Sequence, residues 1–417
     1  MNYSLGNTLS RGGSLNADGL SLDLQLATDK TLTARKGPTP TFTRASTATY
    51  FAPSHINAVY TFDGNNYNVN VSQTTLINGR YRWENGDTGF YYTGTAWSLS
   101  HDGNDVATSA PASNAWRPDL ADWSGTGAVI TATSTFGLVT AATNEPRFDH
   151  DTTAPNACRG LLMEESRTNL VFPSATLTTQ TRTVTAVAHT LSFYGTGTVV
   201  LSGTHVATVT GTGAYPTRTT LTFTPTAGSL IMTVTGSVTE AQLEAGAFAT
   251  SYIPTTTASV VRSADLCTIT GADFTTVYNE SEHTLFAEAS GMSHAAFPSY
   301  LSFDNTTSGE QSTLAGFPTT NRAVCSVTDG GVTSASVQIA VTLNQNNKMA
   351  AAMKLNSSQL AVNNVLGTED TSGTMPTATS LKIGRNWSSV VLNGTFKQVK
   401  VFRKRLSNAK LQTLTTL

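Results

Sequence analysis

Apolar and polar residues alternate with a period of two along much of this chain. SLDLQL, from Ser21 to Leu26, puts leucine at every second position, the pattern of a strand with one buried face. In IMTVTGSVT, from Ile231 to Thr239, valine and threonine take turns, which suits a sheet with one wet face. GTVVLSG, HVATVTG, TRTTLTFTPTAG and SLIMTVTGSV recur at about ten-residue spacing with Gly or Pro between them, a sandwich or jelly-roll rhythm. HTLFAEAS, SVQIAVTLNQNNKMAAAMKLNSSQLAVNN, SLKIGRN and GTFKQVKVF continue it to the end of the chain. A helical period shows only after Ser407, where Leu411 and Leu414 fit one short helix with the serine as its cap. The pattern predicts an all-β protein: tandem β-sandwich or jelly-roll domains, a small inserted β module and a short C-terminal helix.

Composition supports this class. Charged residues are 12% of the 417, against about 25% in an ordinary globular chain. Threonine takes up much of the difference at about one residue in six, and its branched Cβ favours a pleated surface. The formal net charge of −2 gives no electrostatic footprint for nucleic acid. The basic run KQVKVFRKR, Lys397 to Arg405, alternates with Val399, Val401 and Phe402 and reads as the polar face of a strand. Cys158, Cys267 and Cys325 are odd in number and far apart, so neither a disulfide framework nor a zinc site is expected. The first residues lack the apolar core of a secretory leader, and no window approaches a membrane-spanning length. The expectation is a protein made in a cytoplasm, with no membrane insertion.

Between Ala52 and about Phe136 the texture changes. Four of the five tryptophans fall here, at Trp83, Trp97, Trp116 and Trp123, together with Tyr60, Tyr67, Tyr81, Phe90, Tyr91 and Tyr92. Asn-Gly and Asp-Gly turns separate short aromatic strands, as in a small antiparallel sheet domain.

Several stretches together resemble bacteriophage virion fibre proteins: LSLDLQL, FTRASTATYF, NEPRFDHD, RGLLMEESRTNLV, GTGAYPTRTTLTFTPTAGSL, QLEAGAFATSYIPTT and VRSADL. In that family the FTRAST-like segment runs almost directly into the PRFDHD-like one. Here a long segment separates them, so residues 53–137 read as an inserted module. The insert's INGRYRWENGDTGFYYTGTAWSLSHDG and APASNAWRPDL resemble a second kind of phage-surface β module. The resemblance implies a virion attachment segment at 1–40 and a linker or scaffold motif at 41–52 and 138–175. It further implies a carbohydrate-binding-module-like jelly roll at 176–269 and a laminin-G or concanavalin-like sandwich at 270–417.

Catalytic residues are not expected. A glycosidase needs two carboxylates facing one cleft, and Glu288 stands between Ala287 and Ala289 without a partner, while adjacent Glu164 and Glu165 would face opposite ways in a strand. His150 in FDHD reads as a structural residue rather than a metal ligand. Glu244 in QLEAG has two readings, a ligand of a structural Ca²⁺ or a hydrogen-bonded or exposed strand carboxylate; beyond that ion no cofactor and no metal is expected. The glycan-binding candidates are Trp83, Tyr91, Tyr92, Trp116 and Trp123, because sugar rings stack on aromatic faces. Trp97, alternating with Leu99, reads as core.

The resulting expectation is a non-enzymatic fibre or spike subunit of a phage particle. It would join other virion proteins through its N-terminal segment, bind host-surface polysaccharide and assemble as a homo-oligomer, with a trimer the family's habit. The alternatives are a capsid or collar protein packing on neighbouring subunits without a receptor, and a glycan depolymerase.

Overall fold

The computed structural model describes residues 18–62, 65–77, 80–85, 88–92, 97–101, 104–108, 129–152, 157–291, 298–317, 320–342, 345–388 and 390–417, and from 53 to 136 it describes backbone alone. The described chain is mostly strand. Three short helices, Leu26–Asp29, Gly271–Val277 and Asn408–Thr415, are the described exceptions, and none is long and apolar enough to cross a membrane.

Two antiparallel sheets form the largest body. The first runs in the order Arg147–His150, Cys158–Met163, Gly394–Phe402, Glu282–Gly291, Asn347–Lys354, Ser357–Val362 and Val365–Leu366. Strand Leu20–Leu24 adds to Gly394–Phe402 along the stretch Cys158–Met163 leaves open, with Leu24 opposite Val399 and Leu161 opposite Phe396. The second runs Thr41–Thr43, Leu266–Thr270, Ser380–Ile383, Ser299–Asp304, Gln311–Phe317, Arg322–Asp329 and Val332–Ala340. Between them lies one core in which Leu285, Met349 and Val399 face Ile269, Phe303 and Leu314. On the outer side, Ser407 Oγ accepts from Lys410 N at 3.4 Å and caps Asn408–Thr415. That helix buries Leu411 against Phe286, Ala350 and Phe402.

A second body is a smaller sandwich. Gln180–Val184, Gly228–Thr235, Thr198–Gly203 and Ala207–Thr210 form one sheet; Thr219–Phe223, His189–Tyr194 and Thr239–Ala245 form the other. Phe193, Leu201, Met232 and Leu243 are fully buried between them. The paired strands Arg167–Asn169 and Val260–Arg262 form the neck by which the chain leaves and re-enters the large sandwich.

The third body is a seven-stranded sheet in the order Asn104–Thr108, Trp97–His101, Thr88–Tyr92, Arg80–Asn85, Asn65–Ile77, Ala48–Phe62 and Val129–Ala141. Its root is narrow: Ala48 pairs with Ala141, Phe51 with Leu138 and Ala52 with Gly137. FTRASTATYF and NEPRFDHD meet at this root, where Phe51 N donates to Asp149 Oδ1 at 2.9 Å and Arg147 Nη1 donates to Thr49 O at 3.0 Å.

The strand pairing nests these bodies differently from the linear order expected. Part of the 1–40 segment, Leu20–Leu24, is a sandwich strand with Leu22 and Leu24 fully buried; residues 1–17 lie outside the described residues. The stretches 41–52 and 138–175 are shared among the bodies: Thr41–Thr43, Arg147–His150 and Cys158–Met163 join the large sandwich, the ends of Ala48–Phe62 and Val129–Ala141 root the seven-stranded sheet, and Leu266–Thr270 also joins the large sandwich. Alternation along a strand reports which face is buried, not which body it joins, so a sandwich assembled from separated stretches is not visible as one unit in the chain.

Candidate functional site

Residues from five of the seven stretches quoted above meet in one buried charge cluster. Arg44 comes from FTRAST, Arg147 from NEPRFDHD, Glu164 from MEES, Ser251 from ATSYIP, and Arg262 and Asp265 from VRSADL. Arg147 Nη2 lies 2.6 Å from Asp265 Oδ2 and its Nη1 2.7 Å from Glu164 Oε2. Arg262 Nη1 reaches the same Glu164 oxygen at 2.9 Å, and Arg44 Nη1 reaches Asp265 Oδ1 at 3.2 Å. Ser251 donates to Glu164 from both backbone N and Oγ. Burial alone would raise the Glu164 carboxyl, but Arg262, Arg147 and the Ser251 donors outweigh it and hold it down at about 2. Each carboxylate of the cluster is paired with two guanidinium groups, which ties the bodies together at this junction.

Beside this junction the three bodies line a half-open cavity of about 270 Å³. Tyr50, Phe51 and Leu138 come from the root of the seven-stranded sheet; Tyr194, Tyr215 and Arg218 come from the small sandwich, with the segment Phe248 to Tyr252 beside them. Asp149, Arg159, Ser290 and Gly394 come from the large one. The rings of Phe51, Tyr215 and Tyr194 pack in series, with centroids 5.5 and 4.9 Å apart. Tyr215 is half-buried at the end of a turn, and Arg159 is exposed at the mouth, 3.7 Å from Asp151. Arg218 is held by Thr250 O at 2.5 Å and Ser192 Oγ at 2.7 Å. Burial pushes the Asp149 carboxyl up to about 6, against the Phe51 N–H and Arg159, and raises the Tyr215 hydroxyl as well. A space of this size takes roughly one sugar-sized ring. Aromatic faces beside a few fixed polar groups are the chemistry that binds such a ring.

Gly246 shows how tightly the neck is built. Its φ is +139°, and a Cβ there would fall 1.3 Å from Arg167 Nη1. Arg167 can therefore pair with Glu165 and lie 4.9 Å from the Phe248 ring only because this position has no side chain.

Of the aromatic candidates, Trp83 lies in strand Arg80–Asn85 opposite Phe90, and Tyr91 and Tyr92 are the last two residues of Thr88–Tyr92. Tyr92 pairs with Tyr81 and Trp97, Tyr91 with Arg82 and Ser98, so consecutive tyrosine positions fall on opposite faces. Trp116 and Trp123 lie outside the described residues. The cavity's own aromatics went unnoticed in the sequence because each sits in a strand or turn of ordinary composition. The fifth tryptophan, Trp387, is 41% exposed on the loop after Ser380–Ile383 and was likewise passed over.

The remaining titratable candidates have structural surroundings. Both Glu244 oxygens accept hydrogen bonds, Oε1 from Gln242 Nε2 and Thr250 N, and Oε2 from Thr250 Oγ1. His150 is buried in strand Arg147–His150, and burial lowers its imidazole to about 4. Glu288 accepts from Asn346 Nδ2 at 2.9 Å. Burial pushes the thiols of Cys158, Cys267 and Cys325 up to about 11, 12 and 12. Among the described residues, no three His, Cys, Asp or Glu side chains gather as a metal-sized group.

No protein-family model matches the chain, and no curated protein does. Among solved structures, the CBM40 module of the Ruminococcus gnavus IT-sialidase is similar at 17% identity over 34% of this chain and 87% of its own, with a TM-score of 0.30. The leech intramolecular trans-sialidase is similar at 13% over 36% of this chain and 26% of its own, TM-score 0.31. A chain described as a receptor binding domain is similar at 9% over 36% and 39%, TM-score 0.29. Likeness this distant assigns no ligand and no activity.

Proposed function

We propose that this chain is a non-enzymatic glycan-binding subunit of a bacteriophage particle, presenting its β bodies to host-surface polysaccharide. The observation that carries the binding reading is the cavity at the meeting point of the three bodies, with the Phe51–Tyr215–Tyr194 series of rings beside Asp149, Arg159 and Arg218. The particle assignment rests on the motif resemblance. The non-enzymatic reading is supported by the fate of two carboxylates: Glu164 is consumed by Arg147 and Arg262, and Glu288, on the strand that brings Ser290 to the cavity, is not itself among the lining residues and accepts from Asn346. Single-site affinity for one ring is weak, and several copies on a particle supply avidity.

A glycan array with the purified chain tests this directly. Binding to host polysaccharide that falls with Tyr215→Ala supports the reading. No binding to any glycan, with the protein folded and incorporated in particles, makes it a capsid or collar component. Release of new reducing ends from polysaccharide makes it a depolymerase.

A further inference from the structure

We propose that the cavity is selective for a sugar ring bearing a carboxylate, with Arg218 as the cation that recognises it; this rests on the glycan-binding reading above. The charges lining the cavity are Asp149, Glu164, Arg159 and Arg218. Glu164 is neutralised within the buried cluster. Arg159 stands at the mouth in a loose 3.7 Å contact with Asp151. Arg218 differs from both. Its hydrogen bonds go to a carbonyl and a hydroxyl, and among the described residues it forms no ion pair. The acid whose charge it feels is Glu240, and no ion pair forms between the two among the described residues, so its planar fork can still take a carboxylate. The Tyr194 ring lies 6.0 Å from the Arg218 guanidinium carbon and 4.9 Å from the Tyr215 ring. A stacked ring would therefore carry its acidic substituent beside the cation.

Asp149 determines the conditions under which this works. Ionised, it would repel a sugar carboxylate; protonated, it is a hydrogen-bond donor. The charged groups that act on it are Arg159 and Glu164 of the following strand and turn and Arg147 of its own strand. Across the cavity, it acts in turn on the hydroxyls of Tyr194 and Tyr215, which also feel Glu240 and Arg218. Burial dominates and keeps its carboxyl near 6. Binding of an acidic sugar should therefore strengthen from pH 7.5 to pH 5.5, a range in which the sugar's own carboxyl stays ionised because such groups titrate near 3.5.

The test is calorimetric titration of the full chain with D-glucuronate and D-glucose, rings that differ only at C6. At pH 5.5 glucuronate should bind about tenfold tighter than glucose, and the ratio should shrink at pH 7.5. Asp149→Asn keeps an oxygen for the Phe51 N–H and removes the charge, so it should bind glucuronate tighter than the parent at pH 7.5 and lose the pH dependence. Arg218→Gln should abolish the preference. If its melting shows that it unfolds, Asp149→Asn carries the test alone. Equal binding of the two sugars at pH 5.5 overturns the inference and leaves the glycan reading intact. Failure of both sugars to bind, together with a blank glycan array, overturns both.

Discussion

Arg147 and Asp265, 118 positions apart in the chain, meet with 2.6 Å between Nη2 and Oδ2, and neither side chain reaches solvent. The same Asp265 carboxylate also accepts from Arg44 and from the backbone N–H of Glu164. One acid thus ties together the root of the seven-stranded sheet, the start of the neck and the large sandwich. Removing one partner of a buried ion pair leaves the other charge uncompensated. Asp265→Asn should therefore lower the unfolding free energy by about 3–5 kcal/mol, read from urea denaturation. A loss under about 1 kcal/mol would show that solvent reaches the cluster.

Acid should weaken the fold in two stages. His150 and His283 are lowered by burial to about 4 from 6.5. Their contribution is complete above pH 6.5 and is lost as pH falls through 4. Asp149, raised to about 6, works the other way: its contribution is present below pH 3.8 and lost as pH rises through 6, so it offsets part of the histidine effect. Glu164, held at about 2, adds stability above pH 4.5 that is lost as pH falls toward 2. The urea midpoint should drop between pH 6.5 and 4 and drop further below. His283→Phe, set among Tyr278 and Phe303, should flatten the first stage; an unchanged pH profile in that variant contradicts the assignment.

The inserted sheet should be removable. Ala52 and Gly137 are directly paired, so a short Gly-containing turn can join them in place of residues 53–136. The shortened chain should keep its cooperative melting transition within a few degrees. A shortened chain without such a transition would mean that the large body depends on contacts from the insert.

Adhesion through the insert's aromatics is a separate expectation. Trp116→Ala and Trp123→Ala should each weaken cell adsorption, at about 1–2 kcal/mol per ring contact, with little change in melting temperature. If both variants unfold, those rings are core. If both adsorb normally, binding resides in the cavity or elsewhere.

Truncation separates the two parts of the N-terminal segment. Removal of residues 1–17 should leave stability unchanged, and loss of particle incorporation in that variant would locate the attachment element there. Removal through residue 36 strips Leu22 and Leu24, both fully buried, and each is worth about 2 kcal/mol of burial. That variant should melt well below the parent. Equal melting of the two truncations would contradict the pairing of Leu20–Leu24 with Gly394–Phe402.

Local chemistry was legible in the sequence and long-range assembly was not. The alternation of IMTVT is the real burial pattern of the end of Gly228–Thr235, while GSVT turns into the next strand at Thr239, and Ser407 caps the helix it was expected to cap. FTRASTATYF and NEPRFDHD, expected to be neighbours from the motif resemblance, meet in space at Phe51 and Asp149. The cavity was not legible, since Phe51, Asp149, Tyr194, Tyr215 and Arg218 become neighbours only when three bodies dock. A signal for the charge cluster did exist. In a chain with few charges, FTR, EPR, ESR and VVR each place an arginine within or beside apolar strand sequence, and Arg44, Arg147 and Arg262 prove nearly solvent-free.

The pairing of Leu20–Leu24 with Gly394–Phe402 also governs the order of events during synthesis. Ser21 Oγ donates to Val401 O across 380 positions, so the large sandwich lacks a central strand until the ribosome has made almost all of the chain described here. The small sandwich, with its strands contiguous from Gln180 to Ala245, has its full set of partners much earlier. The nascent chain therefore carries a folded small module while the first strands of the large one wait with exposed apolar faces. Closing so long a loop is slow, and the waiting strands are exposed to aggregation in the meantime. Folding yield in this protein should respond to chaperone supply and to translation speed over its last hundred or so residues far more than its final stability would suggest.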